Sequence, residues 1–186
     1  MVAILLQRQR DLTVVCENIH DPHNVSAILR SCDAVGIPEV QLLYFKETFP
    51  ELGKKSSASA NKWVHTVAHE STDELHNYLQ KKGMKIYATH HSKAAKSIHE
   101  VDWVHPAAIV MGNEHRGVSD PMLEIADESI YIPMFGMVES LNVSVATAVI
   151  LYEACRQRLE KGMYPYSAEE DSWTEEMLAS WLSNPE

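Results

Sequence analysis

In the stretch "IPMFGMVESLNVSVATAVILYE" (132–153), an apolar run turns loop-like at Gly136. It then sets Ser140, Asn142 and Ser144 at alternate positions ahead of an apolar helical pattern. Small polar side chains at that spacing suit hydrogen bonding to a ligand, although Ser140 taken alone also reads as the N-cap of the helix that follows. Two further segments gather polar groups. In "GNEHRGVS" (112–119) two glycines bracket a loop with Glu114 and Arg116, and "ENIHDPHNVSAILRSCDAVG" (17–36) holds Asn18, Asp21, Asn24, Ser26, Ala27 and Arg30. Ser26 and Arg30 are four residues apart and share a helix face, with Ala27 beside them leaving room for close approach. The plain reading of Asp21 is a helix cap, and that of Arg30 alone is a solvated surface cation. Cys16, Cys32 and Cys155 are odd in number and widely spaced, so they fit neither a disulfide framework nor a zinc site, and no metal is expected.

These residues need elements to hold them. Continuous apolar, β-prone runs at 12–17 (LTVVCE), 39–44 (EVQLLY), 85–90 (KIYATH), 107–112 (AAIVMG) and 129–134 (SIYIPM) suit strands buried on both faces, as in a parallel sheet. Helical patterns alternate with them. Asp21 and Pro22 open one that ends near Gly36, Ser71 to Glu74 reads as a capping box for one ending at Gly83, and Ser119 precedes "DPMLEIAD". The longest runs from about Val143 to Lys161 and is closed by Gly162. The class is therefore α/β, a parallel sheet with helices on both faces. Such sheets bind ligands beyond the carboxyl ends of their strands. The strand ends at Thr89, with His90 and His91 after it, at Gly112 and at Met134 all run into these polar loops. Backbone-rich loops of this kind suit a small ligand carrying an adenine or a ribose. No GxGxxG follows the first strand and no GxxxxGK[ST] occurs, which removes the ordinary dinucleotide and P-loop readings.

The chain has 186 residues, 45% of them hydrophobic, enough for one sizeable core. No apolar run is long enough to cross a membrane and the N-terminus lacks a signal-peptide pattern, so a cytoplasmic protein without a membrane partner is expected. A formal charge of −10 argues at first against a nucleic-acid partner, yet six of the 26 acids lie after Gly162, where there is no Lys or Arg. The expected division is a domain over 1–162 and an acidic tail over 163–186. Within the tail, "SWTEEMLASWLS" has a capping box at Ser172 and Glu175 and an apolar stripe of Trp173, Met177 and Trp181, the pattern of an amphipathic helix.

Taken together, "NIHDPHNVSAILR", "MGNEHRGVS" and "IPMFGMVESLNVSVATAVILYE" resemble, in order and spacing, the three motifs of the SPOUT class of RNA methyltransferases, in its tRNA and rRNA ribose 2′-O-methyltransferase branch. The resemblance covers roughly residues 12–160. It implies a C-terminal deep trefoil knot, S-adenosyl-L-methionine held in the knot loops, and a homodimer. Thr89, Gly112, Ile132 and Leu141 resemble the cofactor-loop positions. Asn18, Arg30, Glu114, Ser140 and Asn142 resemble the positions nearest the transferring methyl. Arg8, Arg10, Lys54, Lys55 and Lys62, the last three flanking the Ser-rich "SSASAN", are candidate RNA contacts, with solvated loop charge as the alternative. The segments "NVSVATAVILYEACRQRLEKGMY" and "SASANKWVHTVAH" look most like the TrmH (SpoU) branch, which methylates guanosine 18 in the tRNA D-loop. Ribose methylation elsewhere in tRNA or rRNA, or a noncatalytic RNA-binding module on the same fold, are the alternatives. The acidic tail departs from the basic extension expected of a tRNA-binding member.

Overall fold

The structure, a computed structural model, describes residues 1–45, 60–165 and 171–183. In chain order its elements are α1 (Val2–Leu5), β1 (Leu12–Glu17), α2 (Pro22–Ala34), β2 (Glu39–Leu43), α3 (Ala60–Trp63), β3 (His65–His69), α4 (Thr72–Lys81) and β4 (Lys85–Thr89). There follow β5 (Lys96–Ser97), β6 (Ala107–Met111), α5 (Asp120–Ile125), β7 (Glu128–Tyr131), α6 (Val143–Glu160) and α7 (Ser172–Ser183). The strands form one parallel sheet in the order β3-β2-β1-β6-β4-β7-β5. All of the long apolar runs are strands in it, and β3 and the short edge strand β5 are additions to the sequence reading.

Alternation along the buried strands sends side chains to two cores. Val14, Cys16 and Ile109 point to one, with Ile28 and Leu29 of α2 and Ile150 and Leu151 of α6. Val15, Ala108 and Val110 point to the other, with Leu75 and Leu79 of α4 and Met122 of α5. Helices cover both faces, as continuous apolar strands require.

Local signals set the helix ends. The Asp21 carboxylate accepts the His23 N–H at 2.8 Å, and Ser71 Oγ accepts the Glu74 N–H at 3.2 Å. Glu74 itself reaches back to the N–H of Glu70. Gly36, Gly83 and Gly162, placed where helices end, all have positive φ. Ser119 precedes α5 as expected but makes no side-chain cap; its hydroxyl goes instead to buried Glu17 at the end of β1. At the far end of α6, fully buried Arg158 donates to Asp11, Gln9 and the carbonyls of Trp103 and His105. That fork fixes α6 to the entry of β1 and so holds the first turn of α6 against the loops at the opposite end of the strands.

The tail forms α7, and its apolar stripe lies on its own chain. Trp181 is buried, meets Trp63 edge to face with ring centroids 4.9 Å apart, and lies under the Arg8 guanidinium. Among the described residues no helix is long and apolar enough to cross a membrane.

Candidate active site

Beyond the carboxyl ends of β4, β6 and β7 lies a cleft of about 890 Å³. Its walls are the three loops picked out in the sequence: Thr89 to His91 after β4, Gly112 to Glu114 after β6, and Ile132 to Asn142 after β7. Thr89, Gly112, Ile132, Leu141, Glu114, Ser140 and Asn142 all line it. Apolar side chains from Met111, Val143, Ala146 and Ile150 form its floor.

Gly112 is glycine for a packing reason. A Cβ there would lie 2.3 Å from the Gly117 carbonyl carbon and from the Val118 nitrogen, far inside contact distance. The loop folds back on itself at this point, with Asn113 and Gly117 exchanging backbone hydrogen bonds at 3.1 and 2.8 Å. Thr89 is fixed from behind, its hydroxyl donating to the Val110 carbonyl at 2.8 Å.

The helix after the last loop is capped by Asn142, not Ser140. The Asn142 Oδ1 accepts the N–H groups of Ser144 and Val145 and the Ser144 hydroxyl, which leaves Ser140 on the cleft wall with its hydroxyl free of any capping duty. The Asn142 Nδ2 donates to Asn24 Oδ1 at 3.0 Å, and Asn24 Nδ2 donates to Glu114 Oε1 at 2.8 Å. Glu114 also accepts the N–H groups of His20 and Asp21. Burial pushes its carboxyl up, but the His20, Asn24 and Asp21 bonds outweigh this and hold it below the usual carboxylate range. Glu114 is therefore an anion at neutral pH.

Asn24 thus joins two cleft loops. Asn18, set by the resemblance beside the transferring methyl, is not among the residues that line this cleft. It adopts φ 47°, its carbonyl accepts the Asn113 side-chain amide at 2.7 Å, and its Oδ1 accepts the Phe45 N–H, so it braces the turn behind the cleft. Asn24, one of the polar residues picked out over 17–36, stands six residues before Arg30 and on the first turn of α2, where a side chain can reach past the strand ends. Arg30 is exposed on α2 and is not among the residues that line the cleft.

The RNA candidates divide. Arg8 is corrected: its side chain is 2% exposed, paired with Asp33 at 2.6 Å and bonded to the Ile37 carbonyl, which leaves no face for a phosphate. Arg10 is half exposed, pairs with Asp171 at 2.8 Å and stands over the Trp173 ring. Lys62 lies over Trp63. Lys54 and Lys55 fall outside the described residues. Cys16 and Cys32 are buried free thiols, Cys16 pushed up to about 12 by burial and by the charge of Glu114, so neither is a nucleophile. Among the described residues no group of His, Cys, Asp and Glu is arranged to hold a metal ion.

Known proteins are similar to this chain in sequence and fold. The chain is 45% identical over 179 residues to a tRNA (guanosine(18)-2'-O)-methyltransferase of Thermus thermophilus, covering 96% of this chain and 92% of that protein. Among solved structures it is similar to the TrmH/SpoU tRNA modifying enzyme of Aquifex aeolicus, with a TM-score of 0.89 and 39% identity over 98% of this chain and 93% of that one. The SpoU methyltransferase AviRb of Streptomyces viridochromogenes, solved with its cofactor AdoMet, aligns with a TM-score of 0.74 and 25% identity over 83% of this chain and 64% of that one. Residues 11–152, which include every loop of the cleft, match the SpoU rRNA Methylase family, and the chain belongs to that family.

Proposed function

We propose that the protein is an S-adenosylmethionine-dependent tRNA methyltransferase that modifies the ribose 2′-hydroxyl of guanosine 18 in the D-loop. The observation that carries the reading is the convergence of the three polar loops on one cleft, in a chain 45% identical over 96% of its length to an enzyme of that description.

The cleft suits the cofactor. Apolar side chains of Met111, Ile132 and Leu141 and the loop backbone at Thr89 and Gly112, all lining the cleft, fit an adenosine, and the Glu114 and Glu139 carboxylates on the wall suit a cationic sulfonium. Bound there, S-adenosylmethionine would supply an activated methyl group. The protein's own task is alignment and removal of the hydroxyl proton. Arg30 does not take that proton: a guanidinium stays protonated in a protein and offers five donors but no acceptor. Its planar fork instead fixes a phosphate beside the target ribose, and the proton leaves to that phosphate or to water. Glu114, held as an anion by three donors, shapes the loop. Ser140 presents a hydroxyl to the cleft.

The same reading includes a homodimer working in the cytoplasm and a knotted C-terminal part. The strand order supports the knot: β7 lies beside β4, and the segment after it crosses to set α6 against α2, the helix that follows β1. Arg10 and Lys62 remain candidate RNA contacts, and the division into a domain over 1–162 and an acidic tail over 163–186 belongs to this reading.

The test is methyl transfer to unmodified tRNA transcripts, with the product mapped by nuclease digestion and mass spectrometry. Label on the ribose of guanosine 18 is expected. Label only in ribosomal RNA, on a base nitrogen, or nowhere despite cofactor binding overturns the assignment.

A further inference from the structure

The hydrogen bonds behind the cleft have a direction. At one end the Ser144 and Val145 N–H groups are obligate donors, so the atom of Asn142 that meets them is its oxygen. Its nitrogen then faces Asn24, whose oxygen accepts it. Asn24's nitrogen is left for Glu114, an obligate acceptor when ionised. The polarity read from the helix end agrees with the polarity read from the carboxylate end. Asn24 is 9% exposed and outside the cleft, while the residues it joins stand on different loops of the cleft wall.

We propose that Ser144, Asn142, Asn24 and Glu114 form a one-way hydrogen-bond relay that registers the loop after β6 against the loop before α6, with Asn24 and Ser144 as positioning residues that set the shape of the cofactor cleft. The inference rests on the cofactor reading given above. Flipping either amide sets oxygen against oxygen, so the chain admits one orientation. Each cleft loop is thereby tied to the first turn of α6, which Asn142 caps.

The direction can be tested by reversing it. Asn142→Asp keeps the shape and remains a good N-cap, so a purely capping role predicts unchanged stability and, with one more carboxylate on the wall that faces a sulfonium, binding no weaker than before. The relay predicts otherwise. Without a donor at position 142, Asn24 must turn its nitrogen to the new carboxylate and present its oxygen to Glu114. Cofactor binding should weaken at least tenfold and the thermal midpoint should fall, because buried Asn24 is left with oxygen facing oxygen. Glu114→Gln alone should also weaken binding, because one of its atoms becomes a donor facing donors. Combined, the two substitutions rebuild the chain in the opposite sense: the new amide at position 114 donates to Asn24, which donates to the new carboxylate at position 142. The 3.3 Å contact with the Asp21 N–H is lost in this arrangement, so recovery should be partial. The double variant should bind S-adenosylmethionine several-fold more tightly than the product of the single losses allows.

Calorimetric titration of the full chain with S-adenosylmethionine reads all four species. Additive losses in the double variant, or an Asn142→Asp variant that binds as the unaltered protein does, overturn the relay. In the unaltered protein, side-chain amide NMR signals of Asn24 and Asn142 should both move with the titration of Glu114; independence of the two signals also overturns it. If the unaltered protein binds no S-adenosylmethionine, the functional reading fails, while the NMR titration still decides the relay.

Discussion

Glu114 and Asn24 show how a residue's role follows from its partners. In the sequence, Glu114 is one acid in a polar loop; in the fold it collects two backbone N–H groups and an amide from a helix about 90 positions away. Which asparagine supplies that amide was not legible, because helix periodicity gives the face of Asn24 but not what lies across a loop junction, and Asn18 stands nearer the strand end. Arg8 was misread for the same reason, since its partner Asp33 sits on α2, 25 positions further on. The loop glycines and Asn142 were legible because their types carry local geometry. A pH dependence follows from Glu114. Its folded carboxyl is lowered, so the unfolded chain binds its proton more readily, and stability from this site is full above the ordinary carboxylate pKa and lost as pH falls below it. Denaturant midpoints measured from about pH 5 down to about pH 3 should fall more steeply in the unaltered protein than in Glu114→Gln.

Elements buried on both faces announced themselves, and those at the margins did not. The long apolar strands owe their legibility to continuous burial, as in β6, where all of Ala107 to Met111 is buried. By contrast β3, "HTVAH", is only partly buried at the sheet edge, with a pattern too polar to stand out, and β5 has two residues. The amphipathic pattern of α7 was readable, but where its stripe would lie was not, since that depends on Trp63 and Arg8, both far away in sequence. Trp181 is the anchor. Its indole nitrogen is buried with no hydrogen-bond partner among the described residues, so its contribution is packing. Trp181→Ala should cost about 3 kcal/mol in chemical denaturation, while Trp181→Phe, which keeps most of the ring, should cost about 1 kcal/mol. Equal losses in the two variants would show that α7 is held by something other than this ring.

At the scale of the whole molecule, one face is too apolar to be left in water. Phe135 is 97% and Met137 99% exposed, and Val138, Val145, Val149 and Tyr152 are exposed beside them along the last cleft loop and the outer side of α6. Patches of this kind mark association surfaces, and the proposed homodimer would cover this one. The same loop forms part of the cleft wall, so a partner seated on it would stand next to the site, while Arg30 lies on its own chain outside that wall. Arg30 therefore serves either its own cofactor or its neighbour's, and a mixed dimer separates the cases. One chain carries Arg30→Ala. The other carries a block of the cleft, Gly112→Trp, which lies away from that apolar face and whose bulk fills the tight space between the loop backbone and the ligand. Both homodimers should be nearly inactive. If the site is shared, the mixed dimer joins an open cleft on the Arg30→Ala chain to an intact Arg30 on the other, and about half of the activity returns, because one site in two is then complete. If each chain works alone, both sites stay defective. The two chains are co-expressed with different tags, the mixed species is purified, and methyl transfer to tRNA is measured. Recovery is the expected outcome, and its absence in a confirmed, folded mixed dimer would assign Arg30 to its own subunit.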